Sequence, residues 1–322
     1  MEAFYRPLGG GLFASTPATA GPWSPHAQHA GPVAGLFGHV LERHGSDSGG
    51  ESTPHTPRND PDSGGGATPH TPRNDPNSGG GATPHAPRNG PDSGGGATPH
   101  TPRNGPKPVT RIARVTVEIL GPVPVAELAV TARVLRPGRR VALLEAEMTH
   151  AGRPVARATA WRILAAPERL PSVWHAPAPP PMPAAASPLV AWESAHLDGY
   201  LSAMEWRVVE GALGRPGPGV VWARPRIPLV AGEADTPLVR ALVLADSASG
   251  VGSQLDLSKW LIINTDLTVA LHRDPVGEWL CMGAALHASA RGSALCEATL
   301  ADRDGDVGRV LQTLLVDELP SA

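Results

Sequence analysis

The chain nearly repeats itself at an offset of about 152 residues, and this duplication limits its fold more than any single motif. Residues 114–161 and 266–314 match in order: Thr116-Val117 falls on Thr268-Val269, Glu145-Ala146 on Glu297-Ala298, and Arg157 on Arg309. Both stretches alternate. Val115, Val117 and Ile119 interleave with Arg114, Thr116 and Glu118, as Leu267, Val269 and Leu271 do with Asp266, Thr268 and Ala270. A period of two marks strands buried on one face. Turn signals at Pro137-Gly138, Ala151-Gly152, Asp274-Pro275 and Asp304-Gly305 divide each stretch into four strands.

A helix precedes each strand set. Val33, Leu36, Phe37, Val40 and Leu41 recur at helical spacing, and Gly31, Ala34, Gly35 and Gly38 supply small residues for a sheet to wrap closely. In the second half, Thr236-Pro237 is an N-cap with proline at the first helical position. The apolar run Leu238 to Ala245 follows, with Gly250 as the expected stop. The expectation is α+β, each half a central helix followed by an antiparallel meander.

Between the first helix and its sheet lies a 15-residue period opened by Ser48, Ser63, Ser78 and Ser93. Residues 48–107 hold 13 Gly and 12 Pro and no Val, Ile, Leu, Met, Phe, Tyr or Trp. Such a segment cannot bury enough apolar surface to offset its ordering entropy, so it reads as a disordered insertion. His55, His70, His85 and His100 recur within it, but single imidazoles on a flexible spacer make no preorganised metal site. The expected organisation is 1–47 plus 108–175 as one unit and 48–107 as insertion. A Pro-rich linker at 176–188 and a second unit at 189–322 complete it.

Charge excludes some classes. With 27 basic and 30 acidic residues there is no cationic surplus for nucleic acid. No apolar run is long enough to span a membrane. Two cysteines, Cys281 and Cys296, fit a reducing compartment, and Met1 to Phe13 lacks an apolar signal core, so a cytoplasmic location is expected.

These features together resemble the double-hotdog acyl-CoA thioesterases of the thioesterase II (TesB-like) type. FYRPLGGGLF followed by T-x-G-P-W is similar to the actinobacterial N-terminus of that family, and HAQHAGPVAGL to its first central helix. LADSASG, INTDLTVALHRDPVGEWL and GRVLQTLLV are similar to its second helix and catalytic strands. The resemblance covers nearly all of the chain except the insertion. It implies a tandem hotdog that hydrolyses acyl-CoA to free acid and coenzyme A without a cofactor, and it leaves room for a homo-oligomer.

The family's catalytic set is an Asp, a Thr or Ser, and a Gln in the second hotdog. The resemblance puts the Asp at Asp266 and the Gln at Gln312. The Thr position falls between Leu286 and His287, where the chain has no Thr; either His287 or Ser289 substitutes, or the role is lost. At the offset of 152, Asp266 lands on Arg114 and Gln312 on Ala160, so one active site per chain is expected.

Hydrolysis needs an activated water and donors for the developing oxyanion. Asp266 would take the water's proton and Gln312 would hold that water. Gly31, at the start of the first helix, is the expected oxyanion donor through its backbone N–H. Asp246 on the second helix is the strongest rival base. His26 and His29 are three apart, but no carboxylate or cysteine follows at zinc-ligand spacing. Leu255, Leu257 and Trp260 are candidates for an acyl tunnel, and Arg136, Arg139 and Arg140 for phosphate contacts. Two other functions stay open: a hotdog enoyl-CoA hydratase, for which the chain lacks a G-D-x-N-P-x-H string, and a non-catalytic acyl-CoA-binding protein.

Overall fold

Alternation and capping fix the elements of the computed structural model, which describes residues 2–44, 109–165, 177–189, 195–211 and 215–319. The 15-residue repeats, and the insertion expected at 48–107, lie outside the described residues. The N-terminal half holds β1 (Tyr5–Gly9), β2 (Leu12–Ser15), a 3-10 turn, β3 (Ala20–Gly21), β4 (Ser24–Gln28) and α1 (Ala30–Arg43). It continues with β5 (Thr110–Ile119), β6 (Glu127–Arg136), β7 (Val141–His150) and β8 (Arg153–Leu164). The C-terminal half holds α2 (Tyr200–Ala203), β9 (Met204–Glu210), β10 (Gly219–Pro225), α3 (Pro237–Ala245) and α4 (Ala248–Val251). β11 (Trp260–Asn264), β12 (Asp266–Leu271), β13 (Leu280–Ala288), β14 (Ser293–Asp302) and β15 (Gly305–Glu318) follow.

One antiparallel sheet joins the halves in the order β1-β2-β6-β7-β8-β5-β12-β15-β14-β13-β10-β9, with β11 also paired to β15. The order reads the same outward from the β5–β12 seam. Thr116 pairs with Thr268 there, and their hydroxyls are 3.1 Å apart. Because each residue faces its own counterpart at the 152 offset, a pseudo-two-fold axis passes between them. The ladders keep that offset away from the seam. Glu145 opposes Thr159 while Glu297 opposes Leu311, and Thr131 opposes Glu147 while Gly283 opposes Thr299.

The meander of four strands expected in each half is present, but each half adds two strands to the outer end of the main sheet before its helix, β1 and β2 or β9 and β10, while β3 and β4 form a separate pair and β11 joins β15. The first pair turns through Gly9, Gly10 and Gly11 at φ +86°, +61° and +81°, a left-handed run that side chains disfavour. Inward residues from both halves form one apolar core. α1 lies against β5 to β8 and crosses α3. The glycine face of α1 serves that crossing, where the expectation had it meeting a sheet. A Cβ at Gly31 would lie 2.3 Å from the Val243 carbonyl oxygen, and one at Gly38 would lie 2.4 Å from Leu242 Cδ1.

α3 starts as expected, with the Thr236 hydroxyl accepting from Val239 N at 3.2 Å. It ends at Ala245, and the axis breaks at Asp246-Ser247 before α4, whose C-cap is Gly252 and not Gly250. The Pro-rich stretch is tied down over its described part. Pro180 and Pro183 carbonyls accept from Trp222 Nε1 at 3.0 Å and Arg207 at 2.9 Å, and Ser187 N donates to Trp206 O at 2.8 Å. Residues 177–189 therefore run beside β9, the last strand of the sheet, where an unpaired edge would otherwise be open.

Candidate active site

The break between α3 and α4 sets Asp246 at the wall of an apolar cavity of about 390 Å³. Leu201, Leu257, Ile119, Val123 and Ile262 line it, together with His29, Ala30, Ser247, Asn264 and Thr265. The Asp246 side chain is 5% exposed, a position where a carboxylate needs partners. It has three. Oδ1 accepts from Asn264 Nδ2 at 2.5 Å and from Gln312 Nε2 at 3.2 Å. Oδ2 lies 3.0 Å from His29 Nδ1.

Each partner is delivered by local structure. Gln312 sits on β15 in the inward phase with Val310 and Leu314, and is fully buried. Its amide is spent entirely on the helix break: Nε2 also reaches the Asp246 carbonyl at 3.3 Å, and Oε1 accepts from Ser249 N at 3.0 Å. Asn264 ends β11. His29 is the N-cap of α1, where Nδ1 accepts from Gly31 N at 3.1 Å. Its ring stacks on Tyr200, with centroids 3.8 Å apart. Tyr200 in turn donates to Val243 O at 2.8 Å and lies 2.7 Å from Ser247 Oγ. Burial raises its phenol far above the usual range, against the Ser247 hydrogen bond and with help from the Asp246 charge, so it stays a neutral donor.

Cys296 faces Gln312 across β14 and β15. Burial first, then the charges of Glu297 and Asp246, push its thiol up to about 12, which removes it as a nucleophile.

The sequence candidates divide. Gln312 reaches the cavity-wall carboxylate. Asp266 does not: its Oδ1 accepts from Thr313 N at 3.0 Å, and it shares the outward phase of Thr268 and Ala270. His287 is 63% exposed, 3.7 Å from Glu297 Oε1 on the outer side of the sheet. Ser289 N bonds Ser293 O within the β13–β14 hairpin. The Gly31 amide is held by His29 Nδ1 and is buried against α3. Leu257 lines the cavity, while Leu255 and Trp260 pack on the core. Sequence reading missed Asn264, Tyr200 and the His29–Asp246 pairing. A lone acid in the apolar run Leu238–Val251 was the available signal for the helix break. Among the described residues, no group of three or more His, Cys, Asp or Glu could hold a metal ion. No described helix is long and apolar enough to cross a membrane.

Two domain models of one family match in tandem. The acyl-CoA thioesterase N-terminal domain matches residues 97–163, and the acyl-CoA thioesterase C-terminal domain matches residues 167–316. The chain belongs to the acyl-CoA thioesterase family. It is thus a thioester hydrolase by membership, and the duplicated halves are that family's two domains. Among curated proteins none matches the sequence significantly. Solved structures share the architecture at low identity. A protein from Novosphingobium aromaticivorans assigned as a thioesterase is 18% identical, with a TM-score of 0.61 over 97% of this chain and 98% of that one. A protein from Thermobifida fusca assigned as a thioesterase II is 14% identical, with a TM-score of 0.59 over 97% and 95%. A hot dog fold protein from Alicyclobacillus acidocaldarius is 20% identical, with a TM-score of 0.52 over 68% and 83%. The fold of this acyl-CoA thioesterase family member is a tandem hotdog, α+β, as the resemblance implied.

Proposed function

We propose that the protein hydrolyses acyl-CoA at the cavity between the two hotdogs, with Asp246 as the general base. The observation that carries this is a nearly buried carboxylate at the wall of an apolar cavity, with two amides committed to one of its oxygens. Asn264 and Gln312 saturate Oδ1, so Oδ2 is the oxygen available to take a proton from water. That water adds to the thioester carbon, the C–S bond breaks with its electron pair going to sulfur, and the proton returns to the thiolate. The acyl chain lies along Leu201, Leu257, Ile119 and Ile262. Ala30, the first residue of α1, lines the cavity too. The first amides of a helix have no intrahelical acceptor, so its N–H is the donor we assign to the oxyanion.

In this reading Asp246 takes the base role that the resemblance gave to Asp266, and Gln312 keeps a supporting one. The role of the missing Thr passes to Asn264. Free-thiol release from a series of acyl-CoA chain lengths tests the proposal. Turnover of at least one acyl-CoA supports it, and binding without thiol release across the series contradicts it.

A further inference from the structure

The cluster described above contains one hydrogen-bond conflict. His29 Nδ1 lies 3.1 Å from Gly31 N and 3.0 Å from Asp246 Oδ2. A ring nitrogen either carries a proton and donates or holds a lone pair and accepts. Unprotonated, Nδ1 accepts from Gly31 and caps α1. Protonated, it donates to Asp246 and releases the Gly31 amide. The two arrangements need little motion, because the ring is fixed by its stack on Tyr200 with an interplanar angle of 8°.

Among the described residues, every other partner of the Asp246 carboxylate is a non-titrating amide. The ionisable groups around the pair are Tyr200, held neutral by burial, and Cys296, held as a thiol. His29 is therefore the group able to exchange a proton with Oδ2, and it comes from the N-terminal hotdog while Asp246 comes from the C-terminal one.

We propose that His29 is the proton partner of Asp246. The proton that Oδ2 removes from the attacking water passes to the Nδ1 lone pair as the O–C bond forms. When the C–S bond breaks, Nδ1 returns it through Oδ2 to the departing thiolate, and the ring again accepts from Gly31. This rests on the reading of Asp246 as base. It explains why one site needs both halves of the duplication: the carboxylate alone belongs to the second hotdog, and its proton store belongs to the first. His29 acts through Asp246 and is a positioning residue in this sense.

His29→Asn separates the proton role from the cap. Asn is a preferred N-cap whose oxygen still accepts from the Gly31 amide, but it does not titrate. The expected result is a melting temperature near that of the wild type and a kcat lower by about tenfold or more. The acidic limb of kcat/KM should also move, because a titratable neighbour of the base is gone. Wild-type kcat with an unmoved limb overturns the inference. Should His29→Asn fold poorly, the ring nitrogens of His29 can be titrated by NMR in the full chain and in Asp246→Asn. A midpoint that shifts between the two supports the pairing, and one that does not shift overturns it. Loss of activity in Asp246→Asn with none in His29→Asn defeats only this inference, whereas full activity in Asp246→Asn defeats the assignment of the base itself.

Discussion

Gln312 Nε2 donates to Asp246 Oδ1 at 3.2 Å and so ties the middle of β15 to the break between α3 and α4. A fully buried amide at that place has two effects. It orients the carboxylate, and it satisfies the backbone of a helix that has been interrupted to present it. At the corresponding position of the first half stands Ala160, buried and apolar, so the duplication supplies no second copy of this contact.

Gln312→Ala should reduce kcat by more than it raises KM, because orienting a base matters most in the transition state. Stability should drop by about 1–3 kcal/mol, since Ser249 N loses its acceptor. Steady-state kinetics with urea unfolding checks both. A raised KM with wild-type kcat would show a substrate-contact role instead.

Asp266→Asn should keep activity within about threefold of wild type, as expected for a change away from the reacting groups. The amide oxygen still accepts from Thr313 N, which is the bond Asp266 makes. A loss of about 10²-fold or more would return the base role to Asp266.

Much of the fold was readable beforehand, and what was not has physical causes. The 152 offset is a register statement, and the seam honours it: Thr116 faces Thr268 because a pseudo-dyad must pair equivalent residues. Gln312 was legible since an amide in the inward phase of a strand demands partners. Asp266 alternates with Leu267 and Val269, which sets it in the outward phase of β12. Strands β1 and β10 carry Pro7, Gly9, Gly219 and Pro225, which break a period of two, and β2 is only four residues long. The Asp246–His29 contact joins residues more than two hundred positions apart, which no local pattern encodes.

Gly31→Ala should destabilise the protein by about 1–3 kcal/mol, the usual cost of overpacking a tight contact. The new methyl would lie 2.3 Å from Val243 O, a backbone atom that cannot rotate away. Thermal unfolding of the variant decides this, and an unchanged midpoint would mean that the α1–α3 crossing is looser than described.

Acid should weaken the fold in part through Asp302. Burial alone would raise its pKa, but two bonds from Arg273 and backbone donors at Val276 and Asp304 outweigh burial and hold it below the ordinary carboxylate range. A depressed folded-state carboxylate contributes stability that is complete above the unfolded value and lost as pH falls through the folded one. Wild type should therefore lose stability progressively below about pH 4. Asp302→Asn should be less stable at neutral pH by roughly 2–3 kcal/mol and show a flatter acid dependence. Urea midpoints between pH 3 and pH 7 make the comparison, and parallel curves for the two proteins would rule out the Arg273–Asp302 contribution.

Free-thiol release by Asp246→Asn, measured beside Asp266→Asn, shows which of the two carboxylates is the base. Asn at 246 keeps the size of the side chain and removes its proton affinity. With both variants folded, turnover should be lower by about 10²-fold or more in Asp246→Asn and nearly unchanged in Asp266→Asn. Near wild-type turnover in Asp246→Asn would contradict Asp246 as the base.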